Sequence, residues 1–358
     1  MASTVLGECE KRGHEQVSYF YYPEVGLKAI VSIHDTTLGP ALGGCRVRMY
    51  HDEQQALEDV MRLSEGMTYK SSLAGLPLGG GKSCIIADPA MKEGRKELFQ
   101  KFGECLNFLM GRYVTAEDMG TCVDDMMAIR AKSRFVVGTD PLNGGAGDPS
   151  PWTARGVFLA MRAASERVFT DSPSLKGKKV SLQGVGHVGM YLLELLAAEG
   201  ATVVVSDTNK NAIEEATRRF GVRAVAPDAL YDEPCDIFAP CAIGQTVNPT
   251  TLARLKCRVI AGAANNQLSD PSVYSILESE GILYCPDFAI NSGGVICVGA
   301  ELAEGGPNKE WIKEKVEAIY STTAQVLDES KLRGRFTEEV AIELAKERIS
   351  AAKNRLNQ

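Results

Sequence analysis

The sequence predicts a protein of the α/β class built as two domains. Three observations predict it. The chain has 358 residues, enough for about two cores at roughly 150 residues each. Strand-like apolar runs alternate with helix-like amphipathic runs along most of its length. A stretch dense in Gly, Pro and Asp interrupts that alternation near the middle. Composition then narrows the function classes. Apolar residues make up 44% and charged residues 24%, as in an ordinary globular protein. A net charge of −7 argues against a nucleic-acid partner, which wants a basic patch, and against an anionic membrane surface. The first sixteen residues (MASTVLGECEKRGHEQ) are polar, with no apolar core for a signal peptide. No stretch approaches the ~20 apolar residues of a membrane span. The ten cysteines, Cys9 to Cys297, form no CxxC pair and no Cys/His set with zinc spacing. The expectation is reduced thiols in a cytoplasmic protein, with no metal.

The elements follow in order. Residues 29–34 (AIVSIH) read as a strand. Residues 52–66 carry helical periodicity, with Ala56, Val60 and Leu63 on one face. Residues 84–87 (CIIA) form a short apolar strand, and 97–110 a second helix. Residues 139–151 (TDPLNGGAGDPSP) must be a loop, and they mark the crossing between domains. Ser150 and Pro151 suit the N-cap and first position of the next helix. The second half is more regular: strand 179–183, helix 187–199, strand 202–206, helix 209–220, then strands at 236–239 and 258–261. Such alternation implies a parallel sheet. Amphipathic helices at 309–332 and 337–355 close the chain. Residues 1–145, with a terminal helix of about 336–358 packing back, form the expected first domain, and 146–335 the second.

Gly184-Val185-Gly186-His187-Val188-Gly189 completes a G-x-G-x-x-G pattern between a strand and a helix. In that context the first glycine makes the tight turn. The second admits a pyrophosphate, and the third lets helix and strand pack closely. The phosphates would lie on the helix N-terminus, where free N–H groups and the dipole favour anions. Asp207 ends the next strand, about twenty residues on, where a carboxylate bonds ribose hydroxyls and repels a 2′-phosphate. The expected cofactor is therefore NAD, although Lys210, Arg218 and Arg219 lie close enough in sequence to favour a phosphate. The second domain is read as a Rossmann-type doubly wound dinucleotide-binding domain. His187 sits on the phosphate side and is not expected to be a catalyst.

The first domain holds Gly66-Met67-Thr68-Tyr69-Lys70 and Leu78-Gly79-Gly80-Gly81-Lys82. The second is no Walker A motif, because Leu76 stands where that motif needs glycine. The glycines are read as letting backbone approach a small ligand. Two lysines suit a small anion: one can clamp a carboxylate while the other, partly desolvated near a like charge, acts as a base. On the residues alone, two surface lysines are an equal reading. A hydroxy-acid dehydrogenase and a non-catalytic dinucleotide sensor also stay open. The first would normally need a His/Asp or Arg constellation, and His14, His34, His51 and His187 supply no obvious member of one. The second would need neither lysine.

Longer motifs go further. GLKAIVSIHDTTLGPALGGCR (residues 26–46), GMTYK, LGGGK, TAEDMG (115–120) and GDPSPWTARGV (147–157) resemble the glutamate/leucine/phenylalanine/valine dehydrogenase family. So do QGVGHVG (183–189), APCAIG (239–244), IAGAANNQL (260–268) and NSGGV (291–295). The resemblance spans nearly the whole chain after the first fifteen or so residues. It implies NAD-dependent oxidative deamination of an amino acid, with the active site in a cleft between an N-terminal catalytic domain and the dinucleotide-binding domain. By resemblance Lys70 holds the substrate carboxylate, Lys82 is the catalytic lysine, and Asp118 works with it and relays protons. Gly43, Gly44, Met67 and Asn266 lie by the substrate. Thr208, Cys241, Ala242, Ala263, Asn265 and Asn291 lie along NAD. The resemblance also implies a homo-oligomer, from dimer to octamer, with amino acid, 2-oxo acid and ammonia as its small-molecule partners.

The family's side-chain pocket falls on Leu42, Ala116, Val295 and Val298, all apolar. Ala116 leaves less room than the glycine that tends to admit an aromatic ring, so a branched aliphatic side chain such as leucine is expected. Cys45 and the stretch 143–147 (NGGAG) lean toward members that take phenylalanine, the alternative substrate.

Overall fold

The computed structural model describes residues 4–356. Two compact units share the chain. One comprises Met1–Gly147, Val295–Ile312 and Ala345–Gln358, the other Asp148–Gly294 and Lys313–Leu344. The two-domain α/β class expected from the sequence is what the structure shows.

The first unit is built on a five-stranded sheet of β1 (Gln16–Tyr22), β2 (Leu27–Asp35), β3 (Ala41–Arg48), β4 (Gly79–Ile86) and β5 (Tyr113–Glu117). Their spatial order is β1-β2-β4-β3-β5. β2 runs antiparallel to β1 and β4, whereas β3 runs parallel to β4 and β5. Side chains alternate across a strand, and β2 uses both faces. Leu27, Ala29, Val31 and Ile33 join Phe99, Phe102 and Leu106 of the helix Arg95–Asn107. Ile30 points the other way, to Ala56, Val60 and Met61 of the helix Glu53–Leu73. That helix starts at an Asp52 cap, whose side chain accepts the Gln55 N–H, and it runs well past the expected end at Gly66. Its last turns bury Thr68, Tyr69, Ser71 and Ser72, so packing overrides their modest helix preference. β1, β3 and β5 were not anticipated. Gly43 and Gly44 hide β3, because glycine weakens any strand pattern.

The second unit carries β6 (Lys179–Gln183), β7 (Thr202–Ser206), β8 (Arg223–Ala224), β9 (Ile237–Pro240), β10 (Val259–Ile260) and β11 (Leu283–Tyr284). All pair in parallel, in the order β11-β10-β9-β6-β7-β8. The chain lays down β6 to β8 on one side, then returns to start β9 on the other. The order therefore reverses between β6 and β9, which is where doubly wound sheets bind ligands. The helices His187–Glu199 and Lys210–Phe220 follow β6 and β7 as expected. One local reading needs correction. The helix after the central loop starts at Ser150 itself, with Pro149 in the cap position. The Asp148 carboxylate accepts the Ser150 N–H at 2.8 Å, so aspartate caps an end that serine was expected to cap.

Candidate active site

Lys82 lies in β4 beside Ser32 of β2, and Asp118 directly follows β5. β3 separates their strands. Asp118 reaches across because Gly44 of β3 has no side chain. A Cβ there would stand 2.7 Å from the Asp118 Cβ and 2.4 Å from the Glu117 carbonyl oxygen. Thr121 holds the turn, its Oγ1 accepting the Asp118 N–H at 2.8 Å. Lys82 Nζ then stands 3.1 Å from Asp118 Oδ1, with the lysine side chain 7% and the aspartate 21% exposed. The other oxygen, Oδ2, accepts Arg46 Nε at 2.7 Å. Burial pushes the Asp118 carboxyl up, but Lys82 and then Arg46 outweigh it and hold it at about 2. Asp118 is a fixed anion in this arrangement.

Arg46 was not anticipated. Its second nitrogen donates to Asp59 at 2.9 Å, and Asp59 also accepts Tyr50 Oη at 2.9 Å and Arg62 at 3.0 Å. The available signal was a charge between apolar Cys45 and Val47, legible only once β3 is recognised as a strand.

Lys70 lies in the last turn of Glu53–Leu73. That helix touches the start of β4: a Cβ on Gly80 would fall 2.1 Å from the Thr68 nitrogen. Lys70 and Lys82 each lie two residues beyond this contact, which brings the two lysine-bearing segments together. The glycines of β4 have a different task from the one expected. Added Cβ atoms would strike Asp35 O from Gly79, Thr68 from Gly80 and the Tyr113 ring from Gly81, all within 2.6 Å. They admit the protein's own backbone and side chains rather than a ligand. Gly43 is equally filled, with the Gly81 oxygen 1.7 Å from its notional Cβ.

Of the apolar pocket residues, Leu42, Ala116 and Val295 are buried, while Met67 and Val298 are half-buried. Ala116 sits opposite Gly44 in the β3–β5 register. Val295 and Val298 belong to the helix Gly293–Gly299, whose last residue packs on Leu78 and Leu42, 3.1 and 3.8 Å from its notional Cβ. Glu301, also unanticipated, follows that helix and accepts N–H groups of Gly138 at 3.0 Å and Ala146 at 2.9 Å.

In the second unit, Gly184 has φ +94°, and its notional Cβ would meet Ala242 at 2.9 Å. A Cβ on Gly189 would strike the Gly184 oxygen at 2.0 Å. Both glycines answer to packing, in the turn and helix–strand roles read from the sequence. Gly186 differs: nothing of the protein lies within 4 Å of its notional Cβ. The room lies at the N-terminus of His187–Glu199, whose His187 is exposed and Val188 half-buried. Asp207 is less single-minded than expected. Its carboxylate accepts the N–H groups of Val185 and Asn209, both at 2.8 Å, so it braces the glycine turn as well. Thr208 is exposed beside it.

The loops after β9 and β10 close in on each other. Cys241 Sγ accepts the Ala263 N–H at 3.3 Å. Asn291 Nδ2 donates to the Ala263 oxygen at 3.1 Å and to Asn265 Oδ1 at 2.8 Å. Cys241, Ala242, Ala263, Asn265 and Asn291 thus gather where the strand order reverses. Asn291 Oδ1 has no partner although the residue is only 5% exposed. Such an orphaned acceptor fits a donor amide on a ligand. Asn266 is exposed and holds φ +53°. Bare Gly186, the helix N-terminus, Asp207 and the Asn291 oxygen together fit a dinucleotide. Among the described residues, no group of three or more His, Cys, Asp or Glu could hold a metal, and no helix is long and apolar enough to cross a membrane.

Known proteins give the same reading. A family model described as the dimerisation domain of Glu/Leu/Phe/Val dehydrogenase matches residues 14–134. A second, described as Glutamate/Leucine/Phenylalanine/Valine dehydrogenase, matches 144–217 and 205–355. A leucine dehydrogenase from Bacillus cereus is 49% identical over 354 residues, 99% of this chain and 96% of its own. A phenylalanine dehydrogenase from Lysinibacillus sphaericus is 43% identical over 324 residues, 89% of this chain and 84% of its own. The crystal structure of L-tryptophan dehydrogenase from Nostoc punctiforme matches with a TM-score of 0.85 at 39% identity, covering 98% of this chain and 100% of that one. With both halves matched and the lysine–aspartate pair in place, the chain belongs to the glutamate/leucine/phenylalanine/valine dehydrogenase family of amino-acid oxidoreductases.

Proposed function

We propose that the protein catalyses the NAD-dependent, reversible oxidative deamination of L-amino acids with branched aliphatic side chains, leucine foremost. The observation that carries this is the Lys82–Asp118–Arg46 cluster, set in the same sheet as the apolar positions Leu42 and Ala116. The 49% identity to a leucine dehydrogenase, against 43% to a phenylalanine dehydrogenase, supports an aliphatic substrate. We assign the amino acid to the first unit and the dinucleotide to the second.

Lys70 takes the substrate carboxylate. When bound, NAD supplies the acceptor for the hydride on Cα, which leaves a substrate iminium. Lys82 then removes a proton from the water that adds to the iminium carbon. The charge it gains falls 3.1 Å from Asp118, an anion already held in place by Arg46. Lys82 returns that proton to the amino nitrogen, the C–N bond breaks to release ammonia, and the hydroxyl proton passes back to Lys82, leaving the 2-oxo acid. Asp118 thus stabilises the ammonium that Lys82 becomes. Leu42, Ala116, Val295 and Val298 select the side chain by size and lack of charge. Asn266 lies near the substrate and Asn291 near the nicotinamide. NAD is favoured over NADP by Asp207 and by the engagement of Arg219 with Glu194 and Glu215. The match of residues 14–134 to a dimerisation domain supports a homo-oligomer. Ten free thiols, most of them buried, suit a reducing, cytoplasmic setting.

The test is kcat/KM for leucine, valine, isoleucine and phenylalanine with NAD and with NADP. Leucine with NAD should lead, exceeding phenylalanine at least ~10-fold. A preference for phenylalanine would move the substrate to the aromatic class and leave the mechanism standing. Lys82→Ala should abolish turnover while NADH still binds, and a rate within a few-fold of the parent would refute the role of Lys82.

A further inference from the structure

Asn266 and Gln245 hold left-handed backbone conformations that side-chain-bearing residues seldom adopt, with φ +53° and +59°. They lie on facing loops. The Gln245 N–H donates to the Asn266 oxygen at 2.7 Å, and a Cβ on Gly244 would stand 2.6 Å from the Asn265 oxygen. Strain of this kind persists only where the surroundings over-determine it. The residue after Asn266 shows how. The Gln267 N–H donates to Asp287 Oδ2 at 2.8 Å, in the interior. Gln267 is fully buried, and its side-chain nitrogen donates to the Gly262 and Ala264 oxygens at 2.7 and 2.9 Å. Asp287 is 9% exposed and also accepts Tyr284 Oη at 3.2 Å. A buried carboxylate is costly, and this one directs its charge at a backbone N–H. Asp287 also opens the short helix Asp287–Ile290, and its own oxygen accepts the Asn291 N–H at 2.9 Å.

We infer that Asp287 is a positioning residue for the substrate. Through the Gln267 N–H it holds Asn266 in the left-handed conformation from which Asn266 meets the amino acid. The inference rests on the proposed placement of Asn266 beside the substrate. Asp287 is assigned no part in the proton transfers, so its loss should weaken substrate binding more than it slows the chemistry.

The test compares Asp287→Ala, Asp287→Asn, Tyr284→Phe and Asn266→Ala in the full-length enzyme. KM for leucine, kcat and NADH affinity by fluorescence are read for each. Asp287→Ala should raise KM by about tenfold or more with kcat within roughly threefold, since small misplacements of a positioning group are costly. Asp287→Asn keeps an oxygen for the Gln267 N–H and should recover most of that loss. Equal damage from alanine and asparagine, or an unchanged KM in a folded Asp287→Ala, would overturn the inference. If Asp287→Ala fails to fold, Tyr284→Phe loosens the same carboxylate more gently and should still raise KM; an unchanged KM there overturns it too. Asn266→Ala separates the two levels. An unchanged KM in that variant removes Asn266 from the substrate and the inference with it. A raised KM in Asn266→Ala but not in Asp287→Ala removes the inference alone.

Discussion

Gly44 and Gly186 look alike in sequence, each the second glycine of a motif, yet they stand bare for opposite reasons. Gly44 has the protein's own Asp118 where its side chain would be, and Gly186 has nothing within 4 Å. Gly44→Ala should push Asp118 off Lys82 and lower kcat by about a hundredfold, with NADH affinity intact. Gly186→Ala should do the reverse: NADH affinity falls at least ~10-fold because the pyrophosphate needs that space, while the melting temperature holds. Unaltered NADH binding in Gly186→Ala would remove the pyrophosphate from this turn. Lys82 and Asp118, which the fold pairs, were legible through motif resemblance. Arg46 and Glu301 were not, because each acts on a partner far along the chain: Asp118 lies 72 residues from Arg46, and Gly138 lies 163 from Glu301. No local spacing encodes such pairs.

Among the elements, legibility followed periodicity. β6, β7 and the helix His187–Glu199 fall where the pattern put them, because a strand feeding a glycine turn and a helix is a local signal. β3 was missed because its two glycines serve neighbouring strands rather than its own pattern. The helix Glu53–Leu73 was read as ending at Gly66, a poor helix residue that packing carries along. Apart from its chain neighbours and its own helix backbone, no atom lies within 4 Å of a notional Gly66 Cβ, so its backbone freedom is simply lost on folding. Gly66→Ala should therefore stabilise the protein by about 0.5–1 kcal/mol. Urea unfolding midpoints check this; a fall in stability would show that the space beside Gly66 is not free.

Across the molecule, buried groups of opposite kinds pull stability in opposite directions with pH. In the first unit, burial and then His34 hold His14 at about 4, below its ordinary 6.5, and burial lowers His34 as well. Between pH 6.5 and 4 the unfolded chain therefore binds more protons, and stability falls as pH drops. In the second unit, burial and then Asp287 raise Glu338 to about 7 from an ordinary 4.5. Between pH 4.5 and 7 the folded state binds more protons, so stability falls as pH rises. Each effect is worth up to about 3 kcal/mol. Glu338→Gln should melt above the parent at pH 8 and alongside it at pH 4 in calorimetry. Parallel curves across that range would mean that Glu338 is already ionised in the fold.

Read without coordinates, the amino acids specify the α/β class, the regular strands and helices of the dinucleotide-binding half, and the turn that anchors it. Those features rest on backbone sterics and side-chain periodicity, which act over a few neighbouring residues. Resemblance adds the lysine pair and the reaction. The folded chain settles the rest: that Gly44 lets Asp118 cross β3 to Lys82, that Lys82 and Arg46 keep it an anion, and that Asp207 braces the glycine turn. Electrostatics and close packing depend on distance in space, and the chain brings those groups together only when the sheet forms.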